Sequence, residues 1–330
     1  MLEPPIPAPG EQIIPSIENL AKALLLIALL FGSFWIAQLA AERLAPWPLL
    51  MWGAILGLAV LNGVWILGMA VLAHEAVHRV LFKSPFWNEC GGGLLAALAL
   101  VPFYANRQFH LTHHSYAHQL GRDPENRMHE HAFWYAFTIG SLIGLVEQYR
   151  WFARNWLRLR ERRYRRAVAA DAFFVTFAAL VYFALVPAMG LSLAYTVVPT
   201  LLVFPLVFAF RALSDHYGLP AVAVKTPEEE RAWEAEERGE HRLVRDAVSG
   251  WVVRTHPLLE WLWSHVNYHE VHHKYPYLSH RYLKAAFAAT RTRWPYRVLD
   301  GYWHALRVLS RRRYYDDRPL PRPPAGSASS

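Results

Sequence analysis

Cysteine is almost absent from the chain. A single residue, Cys90, among 330 excludes an internal disulfide framework, a thiolate zinc site and a cysteine-ligated iron–sulfur cluster. Charge is scarce as well: Asp, Glu, Lys and Arg account for 18% of residues, against roughly a quarter in an average soluble domain. With 54% hydrophobic residues the chain cannot be disordered as a whole. Negative charge is the scarcer sign, and the net +8 suits either a nucleic-acid partner or a membrane protein with basic cytoplasmic loops. The placement of the apolar residues decides between the two, and it points away from nucleic acid.

Those residues lie in long uncharged runs. Residues 23–41 make a run of 19 and residues 47–73 one of 27, each long enough to cross a bilayer core of about 30 Å as a helix. A third run, 172–210, holds 39 residues, and as one helix it would be about 58 Å long. It must fold back, and Pro187-Ala188-Met189-Gly190 supplies the turn. Four spans result, at about 23–41, 48–73, 171–187 and 191–211. The first is preceded by Glu3, Glu11, Glu18 and Lys22 and has no basic flank or cleavage site, so it reads as an anchor and not as a signal peptide. Residues 91–105 and 132–146, with 15 uncharged residues each, have the length of re-entrant or interfacial helices.

Arginine sets the expected orientation. The link between the first two spans holds only Glu42 and Arg43 and the turn at 187–190 no charge, whereas residues 150–166 carry eight arginines. The positive-inside bias then puts both termini and the long loop from about 74 to 170 in the cytoplasm. The expected architecture is all-α: an integral membrane protein of four transmembrane helices with a cytoplasmic helical cap formed by 74–170 and 212–317. Arg150, Arg154, Arg158, Arg162 and Arg166 recur every fourth residue among Trp151, Phe152, Trp156, Leu157 and Leu159. That pattern predicts a basic amphipathic helix on the membrane surface, an anchor for lipid headgroups or a docking face for an acidic electron carrier or anionic substrate head. Residues 1–16 and 318–330, rich in Pro, Ala, Gly and Ser, are expected to be disordered, which leaves 17–317 as one membrane domain. The charge run 227–245 reads as a solvated helix and loop.

Histidine carries the chemistry. His74 and His78 are four apart, at the end of the second span, and share one helical face. His110, His113 and His114 stand at i, i+3 and i+4, and the same spacing recurs at His269, His272 and His273. His216 lies six residues past the end of the fourth span's uncharged run. Each of these rings needs a hydrogen-bond partner or a metal, and nine nitrogen ligands are too many for one ion and about right for two. Imidazole suits zinc, iron, copper and nickel alike. Glu75, Asp123, Asp215 and Glu270 are candidate acceptors for the outer ring nitrogens of the ligands. His118, His129, His131, His241, His256, His265, His280 and His304 read as surface or supporting residues, with His265 a tenth ligand candidate because it stands four residues before His269.

The three boxes HxxxH at 74–78, HxxHH at 110–114 and HxxHH at 269–273, with Asp215-His216-Tyr217-Gly218-Leu219 and the Asn267-Tyr268 lead-in, resemble those of the integral-membrane histidine-box desaturases and hydroxylases, above all the membrane fatty-acid desaturases. The likeness runs from about 20 to 285. It implies two irons held by the eight box histidines and His216, O2 as co-substrate, and removal of hydrogen from an unactivated methylene of a lipid chain. With no haem or flavin motif, it also implies a separate electron donor, a ferredoxin, rubredoxin or cytochrome. His269 stands where front-end desaturases with a fused cytochrome domain have Gln. The HxxxH spacing and Ala212 depart from the acyl-CoA desaturases and point away from an acyl-CoA substrate. The function expected is introduction of a double bond into a long, lipid-linked acyl chain. A di-iron hydroxylase or ketolase acting on an alkyl, sterol-like or carotenoid substrate is the alternative.

Two remoter readings carry their own signatures. His74-Glu75-Ala76-Val77-His78 also satisfies HExxH of zinc metalloproteases, and Leu299-Asp300-Gly301 resembles the third-ligand motif of intramembrane proteases. That reading leaves the other two boxes unexplained. A membrane metal carrier would place polar ligands inside its spans near the midplane, not at their ends.

Overall fold

The computed structural model describes residues 6–8, 10–222, 250–292, 294 and 296–319. Four helices are long and apolar enough to cross a membrane: α1 (Ser16–Arg43), α2 (Pro48–Val77), Arg162–Ala188 and Val197–His216. They extend beyond the apolar runs because a helix continues into water until a cap stops it. Pro48 opens α2 where its missing N–H costs nothing. Large apolar side chains on their outer faces, such as Leu49 at 91% and Leu202 at 72% exposure, suit contact with lipid. The fold-back comes where expected, with Gly190 at φ +78°, but the next helix starts at Val197 and not near 191. Residues 191–196 are spent on turns, in which Ser192 donates its N–H to Gln38 of α1 (2.9 Å).

Residues 91–105 form no straight crossing. They belong to α3 (Pro85–Leu98) and α4 (Phe103–Tyr116), which meet at a bend of 96°. His74 near the end of α2 and His110 in α4 touch through their Nε2 atoms at 2.9 Å, so the chain leaves α2 and returns to the same end of the bundle. Two polar side chains hold this return. Asn88 donates to Ala76 O (2.8 Å) and accepts the N–H groups of Leu81 and Phe82, which fastens α3 under α2. Asp171, in the helix that starts at Arg162, accepts the N–H groups of Tyr104 (2.8 Å) and Ala105 (3.0 Å). It therefore satisfies the open donors at the start of α4. Gly93 lets α3 press on that same helix, since a Cβ there would fall 2.3 Å from the Phe174 ring.

The arginine-rich segment is not one helix. A helix ends at Trp156, residues 157–161 turn, and the next begins at Arg162. Five guanidinium groups spaced by four would repel along one helical face. The break instead lets Glu161 pair with Arg158 (2.9 Å) and Arg163 (2.8 Å). Residues 132–146 enter a helix from Phe133 that widens at Ala136–Gly140 before continuing as Ser141–Trp156.

The structure is mostly helical, but not wholly so. Val252–Arg254 (β1) pairs in parallel with Val298–Asp300 (β2). Val253 also exchanges hydrogen bonds with Asn267, whose backbone oxygen takes the Val253 N–H (2.9 Å) and whose Nδ2 donates to Val253 O (2.9 Å). The strand pair thus fixes the entry to the helix His269–Lys274. Residues 12 and 13, read from sequence as disordered, are docked: Gln12 Oε1 accepts the Ser279 N–H (2.7 Å) and the Ile13 N–H donates to the Tyr282 hydroxyl (3.0 Å). A proline-rich segment without regular structure keeps its polar groups available for such contacts. The charge run 227–245, with His241, lies outside the described residues. One apolar core runs from Leu26 and Leu30 of α1 through α2 to Trp251, Leu299 and Tyr314, so the long helices and the C-terminal part of the chain share it.

Candidate metal centre

Four elements bring nine histidines together. His74 lies in the last turns of α2 and His78 directly follows it; His110, His113 and His114 come from α4, His216 ends the helix Val197–His216, and His269, His272 and His273 lie in the helix His269–Lys274. They divide into a group of five, His74, His78, His110, His114 and His272, and a group of four, His113, His216, His269 and His273. Within each group the ring nitrogens lie within 4.8 Å of one another. The two groups abut, with the rings of His114 and His273 stacked at 4.2 Å.

The contacts are between Nε2 atoms. In the first group His110 Nε2 is 2.9 Å from those of both His74 and His78, and His272 is 3.2 Å from His114. In the second, His216 is 3.1 Å from His113 and 2.9 Å from His269, and His273 is 3.0 Å from His269. A neutral imidazole has one N–H and one lone pair, so converging Nε2 atoms cannot all satisfy each other by hydrogen bonding. A shared cation resolves this. An imidazole–metal distance of about 2.1 Å puts neighbouring nitrogens about 3.0 Å apart at a right angle and about 3.4 Å apart at a tetrahedral angle, the range found here. The donor set therefore fits two metal ions.

Burial keeps most of the rings neutral, as metal binding requires. His78 is pushed down to about 3 by desolvation, with Arg107 adding to it. His110, His114, His269, His272 and His273 lie well below their ordinary value, first through burial and then through crowding by the other rings. His113 is the exception: burial opposes its charge, but Asp123 and Glu125 outweigh it and raise the ring to about 9.

The expected carboxylates divide. Asp123 Oδ1 accepts from His113 Nδ1 at 2.9 Å, and Asp215, paired with Arg211 (2.8 Å), lies 3.8 Å from His269 Nδ1. Glu75 instead accepts the backbone N–H of His280 (2.8 Å) at the start of the helix His280–Thr290. Glu270 pairs with Lys274 at 3.0 Å. On a helix, the residue beside a ligand points about 100° away from it, which turns both glutamates off the rings. His265 stands apart from both groups, stacked against His280 with centroids 6.1 Å apart.

Two further supports, Glu125 and Asp171, were not singled out by sequence, whereas His118 was among the histidines read as surface or supporting residues. Glu125 lies 3.9 Å from His113 Nδ1 and 3.7 Å from His129 Nδ1, and the signal available was its place two residues after Asp123. His118 is fully buried, its N–H on Asp123 (2.7 Å) and its Nε2 on Leu219 O (3.0 Å). Asp171 sits in a span with nothing in its flanks to mark it. His256 caps a short helix by accepting the Leu258 N–H (3.2 Å), His304 accepts the Asp300 N–H (3.1 Å), and His131 is exposed. Asp300 pairs with Arg254 (3.1 Å) and belongs to neither histidine group.

Comparison with known proteins agrees with this geometry. The profile of the family described as fatty acid desaturase matches residues 46–305, which include all nine histidines. A curated relative, a Delta(12)-acyl-lipid-desaturase of Punica granatum, is 36% identical over 81 residues. That stretch is 24% of this chain and spans only 19% of the relative.

Proposed function

The chain belongs to the fatty acid desaturase family, and on that premise we propose that it is an O2-dependent di-iron membrane desaturase that introduces a cis double bond into a long, lipid-linked acyl chain. One observation carries the reading: nine histidine rings converge through their Nε2 atoms in groups of five and four. When bound, two irons there supply the oxidising power to take hydrogen from an unactivated methylene. The protein's own part is to hold that centre. His74, His78, His110, His114 and His272 would hold one ion and His113, His216, His269 and His273 the other. Asp123 orients His113 through Nδ1 and so leaves its Nε2 lone pair pointing at the ion. Burial of His110, His113, His216, His269 and His272 limits the access of bulk water to those rings.

Three further imidazoles beside His74 and His78, five in all, exceed what a zinc protease of the HExxH type uses, and Asp300 is engaged elsewhere. The ligands gather at the ends of the spans, which argues against a carrier with sites at the midplane. The arginine excess supports a cytoplasmic centre, cap and termini, with electrons from a separate ferredoxin, rubredoxin or cytochrome. Reporter fusions near 85, 120 and 250 should then be cytoplasmic and one near 190 should not; an opposite signal at 120 would remove the shared site. The function is tested by expression in a host with a simple lipid profile and mass spectrometry of its fatty acids. A new acid two hydrogens lighter is the expected product. A product that gains oxygen with no loss of hydrogen would move the assignment to hydroxylation without touching the metal reading.

A further inference from the structure

The chain that follows His216 is fastened to the C-terminal stretch 312–316. Gly218 donates its N–H to Tyr314 O (2.9 Å), Asp316 donates its N–H to Leu219 O (2.9 Å), and Arg312 Nη1 donates to Gly218 O (3.1 Å). Gly218 has φ +81°, and a Cβ there would fall 2.8 Å from Arg312 Cδ, so both conformation and space require glycine. Arg312 is fixed in turn by the backbone oxygens of Arg318 (3.1 Å) and Pro319 (2.8 Å).

The same stretch reaches a second histidine of the group of four. The rings of Tyr314 and Tyr315 pack on His118, with centroids 4.7 and 4.9 Å away. His118 spans the gap between Leu219 O and Asp123, and Asp123 accepts from His113. His216 and His113 are therefore both braced from 312–316. Among the described residues, no hydrogen bond or ring contact joins 312–318 to the five histidines of the other group. The stretch also lies beyond residue 305, where the family match ends.

We propose that residues 312–316 are a positioning clasp for the four-histidine position alone, so that the two metal positions load separately and the clasp governs the second. This rests on the two-metal reading above. The test is the iron content of full-length protein, purified in detergent from iron-supplied cells, for the parent and for Arg312→Ala, Tyr314→Ala and Tyr314→Phe. The parent should hold two irons per chain and each alanine variant one, the remaining iron showing that the fold is intact. Tyr314→Phe keeps the ring that packs on His118 and should hold two. Two irons in both alanine variants would overturn the clasp, and loss of both irons would overturn the independence of the positions. A parent that binds fewer than two would overturn the metal reading itself, and the clasp with it.

Discussion

The two histidine groups share α4 and the helix His269–Lys274 and differ in what stands behind the rings. In the group of four, His113 Nδ1 meets Asp123, and His269 Nδ1 lies 3.4 Å from Arg211 Nη2 and 3.8 Å from Asp215, which Arg211 holds. In the group of five, the Nδ1 atoms of His74 and His272 are buried with no hydrogen-bond partner among the described residues. A ring whose Nδ1–H meets a carboxylate is fixed in tautomer and direction and is the better donor to a metal. A ring without one is held by its rotamer and its neighbours. One position thus relies on number and helical geometry, the other on fewer ligands, of which His113 is oriented by a carboxylate.

Removing a ligand is the largest expected perturbation of this contrast. His113→Ala and His272→Ala should each lower iron below two per chain and abolish turnover, as read by metal analysis and product formation. His113→Ala should be the more severe for its own position, because three ligands remain there and four remain at the other. His304→Ala should change neither quantity, since that ring accepts the Asp300 N–H and belongs to neither histidine group. A single tightly bound zinc and no iron in the parent would reverse the assignment to a di-iron enzyme.

Changing the support is the next step down. Asp123→Asn should weaken metal at the four-histidine position by roughly 10- to 100-fold and leave the other nearly unchanged, measured by titration against a chelator. Equal weakening at both positions would show that the rings act as one unit. Asp171→Ala should behave in the opposite way, because α4 supplies His110 and His114 to one group and His113 to the other. Loss of that helix cap is expected to cost about 1–2 kcal/mol, seen as a lower Tm in detergent, and to loosen both positions together.

How much of this could be read in advance follows from the range of each interaction. The membrane spans and the nine histidines are local patterns, a run of uncharged residues or spacings of three and four, and the structure brings all nine together. Their division into five and four is not local. From 110–114 the i, i+4 pair His110 and His114 joins the group of five and His113 the other, whereas from 269–273 the pair His269 and His273 joins the group of four and His272 the other. Only the angle at which the two helices meet decides that exchange. The supports were the least legible, because each crosses a long stretch of sequence: Asp171 to Tyr104, Glu75 to His280, Tyr314 to Gly218. The arginine helix misled through a periodicity that like charges make unfavourable, and Glu161 broke it.

The smallest effect is expected at that break, and it bears on both histidine groups equally because the helix Ser141–Trp156 packs on α4, with Gln148 accepting from Asn106 (3.1 Å) and Trp151 edge-on to Phe109. Arg158 and Arg163 share the single carboxylate of Glu161, and Arg150 shares Glu147 (2.6 Å) with Arg127. Exposed pairs of this kind contribute little to stability, so their worth must lie in attraction at a distance. Arg154, Arg160, Arg162, Arg165 and Arg166 are also exposed, beside Leu157 at 84% exposure and at the mouth of the third span. If an acidic electron donor docks there, turnover at low donor concentration should fall several-fold as salt rises from about 0.05 to 0.5 M, because the screening length shrinks from well over 10 Å to under 5 Å. Arg160→Glu with Arg162→Glu should flatten that dependence by raising KM for the donor, with kcat unchanged and iron content still two. A parent whose turnover is already flat with salt would remove the donor from this surface and leave the arginines as ligands for lipid headgroups.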